Sequence, residues 1–138
     1  MTDKTKVLIV EDDTPLAMFM VNVLSRAGCE VQVAHTGKKG IELGQEKKFD
    51  LIALDIDLPD LCGLAVCREL KQRHIARHTP IVFVSAQSDE EYRQRGRDAG
   101  AVDYITKPFD ATDFISRIVA HVKDSPSRSR ILEPGVTR

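Results

Sequence analysis

Three short, nearly continuous apolar runs punctuate the chain: Val7 to Val10, Leu51 to Leu54 and Ile81 to Val84. Each is rich in branched side chains and is followed by a polar residue, which predicts strands buried on both faces. Two further segments, Cys29 to Ala34 and Ala101 to Ile105, mix apolar with polar positions as edge strands do. The five predicted strands start about 20 to 30 residues apart, the spacing of βα units.

Helical periodicity fills the gaps. Leu16, Phe19, Met20, Val23, Leu24 and Ala27 recur at intervals of three and four, with Asp13 or Thr14 as N-cap, Pro15 at the first helical position and Gly28 as the stop. Gly63 to Ala76 sets Leu64, Val66, Cys67, Leu70 and Ile75 on one broad side, and Phe114, Ile115, Ile118, Val119 and Val122 give the last helix its face. Ser88 to Asp98 has capping-box spacing between Ser88 and Glu91 but little apolar surface, so it is expected to be loosely held. Lys38 to Lys48 is helical in pattern, although Gly40 and Gly44 count against it. After Lys123 the composition turns to Asp-Ser-Pro-Ser-Arg-Ser-Arg, which predicts one domain over residues 1–123 and a linker or flexible tail over 124–138. No internal repeat is present.

Alternating strands and helices predict an α/β fold: a doubly wound, five-stranded parallel sheet with about five helices on both faces. The apolar runs identify strands one, three and four as central, and that matches the order 2-1-3-4-5. In this order the ligand site lies at the carboxyl ends of strands one and three.

The chain has 138 residues, 20 Lys+Arg against 21 Asp+Glu, and 42% hydrophobic residues. That length supports one domain whose core needs no disulfide or metal. A net charge of -1 argues against direct binding to nucleic acid through its phosphates. The apolar runs are too short to span a membrane, and Met1 to Lys6 lead into no signal-like region, so a cytoplasmic protein without a membrane partner is expected. Cys29, Cys62 and Cys67 form no metal-type pair and read as reduced thiols in or near the core.

Chemistry gathers at the predicted strand ends: Glu11-Asp12-Asp13 after the first, Asp55-Ile56-Asp57 after the third, Ser85 after the fourth, and Lys107-Pro108 past the fifth. Two unit charges about 4 Å apart repel by roughly 4 kcal/mol at an effective dielectric near 20, so a crevice holding several carboxylates calls for a positive occupant. With oxygen donors and no His or Cys at ligand spacing, a hard divalent cation such as Mg²⁺ fits, and its open positions suit phosphoryl oxygens. A hydroxyl from Ser85 and the ammonium of Lys107 complete a phosphoryl-transfer site that needs no general acid or base.

The ordered set of Val-Glu-Asp-Asp (10 to 13), Leu-Asp-Ile-Asp-Leu-Pro (54 to 59) with Gly63, Val-Ser-Ala (84 to 86), Gly-Ala-Val-Asp-Tyr-Ile (100 to 105) and Thr-Lys-Pro-Phe (106 to 109) strongly resembles the receiver domain of two-component response regulators. The resemblance runs from about Lys6 to Lys123 and is specific in its motifs. It implies that Asp55 accepts a phosphoryl group from a histidine kinase or phosphotransfer protein. Mg²⁺ would be held directly by Asp12 and Asp55, through water by Glu11, and by the main-chain carbonyl of Asp57. Ser85 and Tyr104 would form a switch pair and Lys107 would pair with the phosphate, with a cis bond to Pro108. The face of helix four, strand five and helix five would be the homodimer or effector surface. Ser85 replaces the more frequent threonine and keeps the hydroxyl, while Asp57 adds a carboxylate beside the phosphorylation position.

Two other classes are weaker. A haloacid-dehalogenase-like phosphatase also uses an Asp-x-Asp strand end, but it places the nucleophilic strand first and carries Thr or Val where Pro59 stands. A flavodoxin-like cofactor carrier would meet repulsion between Glu11-Asp12-Asp13 and a flavin phosphate. His74 and His78, four apart, lack a third metal ligand. Arg93, Arg95 and Arg97 interleave with acids as a mixed-charge surface. No output domain is readable in these residues, which is compatible with a single-domain regulator, a phosphorelay intermediate or the amino-terminal piece of a longer protein.

Overall fold

The computed structural model describes residues 4–123, so the expected tail at 124–138 lies outside the described residues. The chain alternates β1 (Thr5–Val10), α1 (Thr14–Arg26), β2 (Cys29–Ala34), α2 (Gly37–Glu46), β3 (Leu51–Leu54), α3 (Gly63–Lys71), β4 (Ile81–Ser85), α4 (Glu90–Ala99), β5 (Asp103–Thr106) and α5 (Ala111–Lys123). All neighbouring strands pair parallel in the order β2-β1-β3-β4-β5, the predicted arrangement.

Side chains alternate across the sheet and separate two cores. Val7, Ile9, Leu51, Ala53, Val82, Val84 and Ile105 pack with Met20 and Leu24 of α1 and with Phe114, Ile118 and Val122 of α5. Leu8, Val10, Ile52, Leu54, Ile81 and Phe83 face α2, α3 and α4. Because residues 7–10 of β1, 51–54 of β3 and 81–84 of β4 are covered on both faces, these stretches are apolar throughout.

Several boundaries differ from the sequence reading, each for a local reason. Of the two expected caps of α1, Asp13 is the one that forms, its carboxylate accepting the Leu16 amide at 3.2 Å. Asp89, not Ser88, caps α4 and accepts from Tyr92, so the expected capping box does not form. The third helix stops at Lys71 rather than Ala76, and His74 and His78 stand exposed in the following turns. β5 begins at Asp103 rather than Ala101. Phe19 is 41% exposed, its ring set against Phe109 of the β5–α5 turn at 6.2 Å instead of in the core. Cys29 and Cys67 are buried but Cys62 is exposed.

α2 forms despite the glycines at 40 and 44 because each lets the helix lie close against a neighbour, β1 for the first and α3 for the second. A Cβ on Gly40 would lie 2.9 Å from Val10, and one on Gly44 would lie 2.6 Å from Leu70.

Candidate functional site

Parallel pairing lays the ends of β1 and β3 side by side: Val10 is in register with Leu54, and the Asp55 amide donates to the Val10 carbonyl at 3.0 Å. The residues that follow therefore meet at one mouth. Glu11, Asp12 and Asp55 each offer a carboxylate oxygen within 4.8 Å of the others, although 43 or more positions separate Asp55 from the first two. Glu11 and Asp55 are 2% and 5% exposed, while Asp12 sits at the opening.

Lys107 enters from the β5–α5 turn. Its amide donates to the Ser85 carbonyl at 2.9 Å and its peptide bond to Pro108 is cis. Its Nζ reaches Glu11 Oε1 at 2.9 Å and Asp55 Oδ2 at 3.1 Å. Burial pushes the Glu11 carboxyl above the usual carboxylate range, helped by the Asp55 charge, and the bonds from Lys107 and the Asp13 amide only partly offset it. Burial opposes the Lys107 ammonium, but its bonds to Glu11 and Asp55 outweigh that and raise its pKa. Shared between two acids, one cation leaves a net negative pocket.

The β3–α3 loop folds back over this pocket. The Asp57 amide donates to Asp55 Oδ1 at 3.2 Å, the Gly63 amide donates to the Ile56 carbonyl at 2.7 Å, and Asp57 and Cys62 form an isolated antiparallel bridge. Gly63 lies so close to β3 that a Cβ there would sit 2.0 Å from the Asp55 carbonyl oxygen. Asp60 then reaches α2, where its carboxylate accepts the Gly37 and Lys38 amides at 2.7 and 2.9 Å.

Ser85 ends β4 fully buried, and its hydroxyl oxygen accepts the Gln87 amide at 3.2 Å. Tyr104, 6% exposed, turns its ring inward and donates its hydroxyl to the Gln87 carbonyl. Burial raises the Tyr104 phenol above its ordinary value, against the pull of the Ser85 hydroxyl and the Arg93 charge. The Asp57 carboxylate accepts from the Gln87 side chain at 3.2 Å. Gln87 thus touches three of the positions singled out from sequence, a role its type and spacing did not signal. His35 was likewise missed: its Nδ1 lies 3.0 Å from the Glu11 carbonyl oxygen. Arg93, read from sequence only as part of a mixed-charge surface, lies over the Tyr104 ring.

The donor set fits a hard divalent cation. It consists of carboxylate oxygens from Glu11, Asp12 and Asp55 gathered at one opening, with negative charge in excess of Lys107. His74 and His78 lie outside it.

The family model of the response regulator receiver domain matches residues 7–119. The chain belongs to the response regulator receiver domain family. As a receiver domain it is a signalling module, and the resemblance read from its motifs holds. It is 39% identical to the response regulator ArlR of Staphylococcus saprophyticus over 132 residues, covering 96% of this chain and 59% of that protein. The chain therefore spans under two thirds of the length of the curated relatives it matches. A response regulator of Chloroflexus aurantiacus superposes with a TM-score of 0.83 at 30% identity, covering 87% of this receiver domain and 98% of that chain. The receiver domain of a Pseudomonas aeruginosa sensor histidine kinase, solved with a magnesium ion coordinated in its active site cleft, superposes at 0.79 with 25% identity, covering 91% of this chain and 100% of its own. Among the described residues, no helix is long and apolar enough to cross a membrane.

Proposed function

We propose that Asp55 is the phospho-acceptor of this receiver domain and takes a phosphoryl group from a phosphohistidine of a histidine kinase or phosphotransfer protein in a Mg²⁺-dependent reaction. The observation that carries this is the meeting of Glu11, Asp12, Asp55 and Lys107 at one opening. In the transfer, an Asp55 carboxylate oxygen forms the O–P bond as the N–P bond of the donor imidazole breaks, and the imidazole leaves to be protonated by water. Lys107 neutralises charge on the transferred group, and the Ser85 hydroxyl turns its proton toward a phosphoryl oxygen. Asp12, Asp55, the Asp57 main-chain carbonyl and Glu11 would hold the Mg²⁺, which would supply charge screening for the phosphoryl oxygens. The chain catalyses only its own phosphorylation and dephosphorylation.

The acquired charge, roughly -1.5 to -2 at neutral pH, is read by Ser85 and Tyr104 and passed to the face of α4, β5 and α5, the surface for a second copy or an effector. Nucleic acid and membrane are not direct partners, and the domain, residues 1–123 followed by a linker at 124–138, works in the cytoplasm. Intact-mass measurement after incubation with Mg²⁺ and a small-molecule phosphodonor tests the chemistry. One added phosphoryl mass is expected for wild type, none for Asp55→Asn and none in excess chelator; a modified Asp55→Asn protein overturns the assignment. Hydrogen exchange over residues 88–98 tests the switch, and equal protection with and without phosphoryl refutes it.

A further inference from the structure

Arg93 departs from its neighbours on α4. Arg95 and Arg97 pair with Glu91 and Glu90 of their own helix at 2.7 Å each, as exposed surface arginines do. Arg93 turns toward the sheet. Its guanidinium carbon lies 5.3 Å from the centre of the Tyr104 ring, one terminal nitrogen donates to Thr106 Oγ1 at 2.7 Å, and Nε reaches the Ser88 carbonyl at 3.4 Å. Three anchors on two segments hold one side chain: the Ser88 carbonyl in the turn before α4, and the Tyr104 ring and Thr106 hydroxyl of β5. On the same ring, Gly96 brings the α4 backbone so close that a Cβ would lie 3.3 Å from Tyr104 and 3.1 Å from Phe83. The Tyr104 hydroxyl is bonded to Gln87. The ring is thus held at its edge by Gly96, at its tip by Gln87, and across its face by the Arg93 guanidinium.

We infer that Arg93 is a positioning residue for Tyr104: it holds the ring inward and ties α4 to the end of β5, so that the switch residue is set before any charge is added at Asp55. Its consequence for phosphoryl acceptance rests on the function proposed above; the clamp itself does not. A face-on cation and a charged hydrogen bond to a hydroxyl together favour the inward ring by about tenfold.

The test is ¹⁹F NMR of protein carrying 3-fluorotyrosine in a Tyr92→Phe background, which leaves Tyr104 as the only label, without phosphodonor. Arg93→Ala should move the resonance and its solvent-isotope shift toward the exposed limit, Arg93→Lys should recover part of the change, and Arg95→Ala should leave it in place. Circular dichroism checks that each variant is folded. A resonance unmoved in Arg93→Ala, or moved equally by Arg95→Ala, overturns the clamp. Phosphorylation by a small donor should slow several-fold in Arg93→Ala, and an unchanged rate overturns the coupling. Failure of wild type to accept any phosphoryl group overturns the assignment of Asp55 while the NMR result still decides the clamp.

Discussion

Lys107 Nζ lies 3.1 Å from Asp55 Oδ2 and shares the same ammonium with Glu11 at 2.9 Å, so one half-buried cation compensates two buried acids. Its length fits because the backbone of Lys107 is bonded to the end of β4.

Replacing Lys107 by Met removes the cation and keeps its stem. Breaking a buried pair leaves uncompensated charge, which costs about 3 kcal/mol at the lower end of the usual range, chosen because the Lys107 side chain is 19% exposed. Urea unfolding in chelator should show this loss, and added Mg²⁺ should recover part of it by mass action on the folded state. A Lys107→Met protein as stable as wild type in chelator would refute the electrostatic account.

Glu11 gives the metal-free protein a pH dependence. Its folded pKa is raised above an ordinary value near 4.5, chiefly by burial, so the folded state holds the proton more tightly than the unfolded chain. Its contribution is complete below about 4.5 and is lost as pH rises through the elevated folded value. In chelator, the stability of wild type relative to Glu11→Gln should therefore fall from acid toward neutral pH. Parallel stability curves for the two proteins would contradict the shift.

Gly63→Ala should be far more damaging than Gly44→Ala. The added methyl at Gly63 meets the Asp55 carbonyl at 2.0 Å and the Ile56 Cα at 2.7 Å, both backbone, whereas at Gly44 it meets the end of the Leu70 side chain, which can rotate. An overpacked backbone contact costs about 3 kcal/mol or more, and relief requires moving Asp55 itself. Denaturation midpoints and Mg²⁺ affinity together measure this, and Gly63→Ala should lose both.

The central sheet was legible because residues 7–10, 51–54 and 81–84 are buried on both faces, so neither face there is free to carry polar residues. The acids were legible because parallel topology sends every strand's carboxyl end to one rim. What stayed hidden depends on contacts that no local pattern encodes. Arg93 belongs to Tyr104 and Thr106 only because Gly96 lets α4 lie against Phe83. The choice between Ser88 and Asp89 as cap turns on one residue of helix phase. The glycines of α2 lower its propensity, yet they let the helix lie close against Val10 and Leu70. Ion pairs of Asp103 with Arg117 and His121 join β5 to α5 across 14 and 18 positions with no signature in spacing.

Asp60 supplies the last test. It caps α2 from a distant loop, alongside Thr36, whose hydroxyl accepts the Lys39 amide at 3.1 Å. The Lys38 and Gly37 amides hold the Asp60 carboxyl below its ordinary value near 3.8, so its contribution is present above that value and is lost as pH falls through the lowered folded pKa. Asp60→Asn keeps the shape but weakens acceptance of two amides, both in the first turn of α2 where negative charge is favoured. Thermal unfolding at neutral pH should therefore fall below wild type, and the gap should close in strong acid. The same substitution loosens the tether between α2 and the loop that carries Asp57, so Mg²⁺ affinity should drop with the melting temperature. A melting temperature that falls equally at every pH would assign the loss to packing rather than to the capping carboxylate.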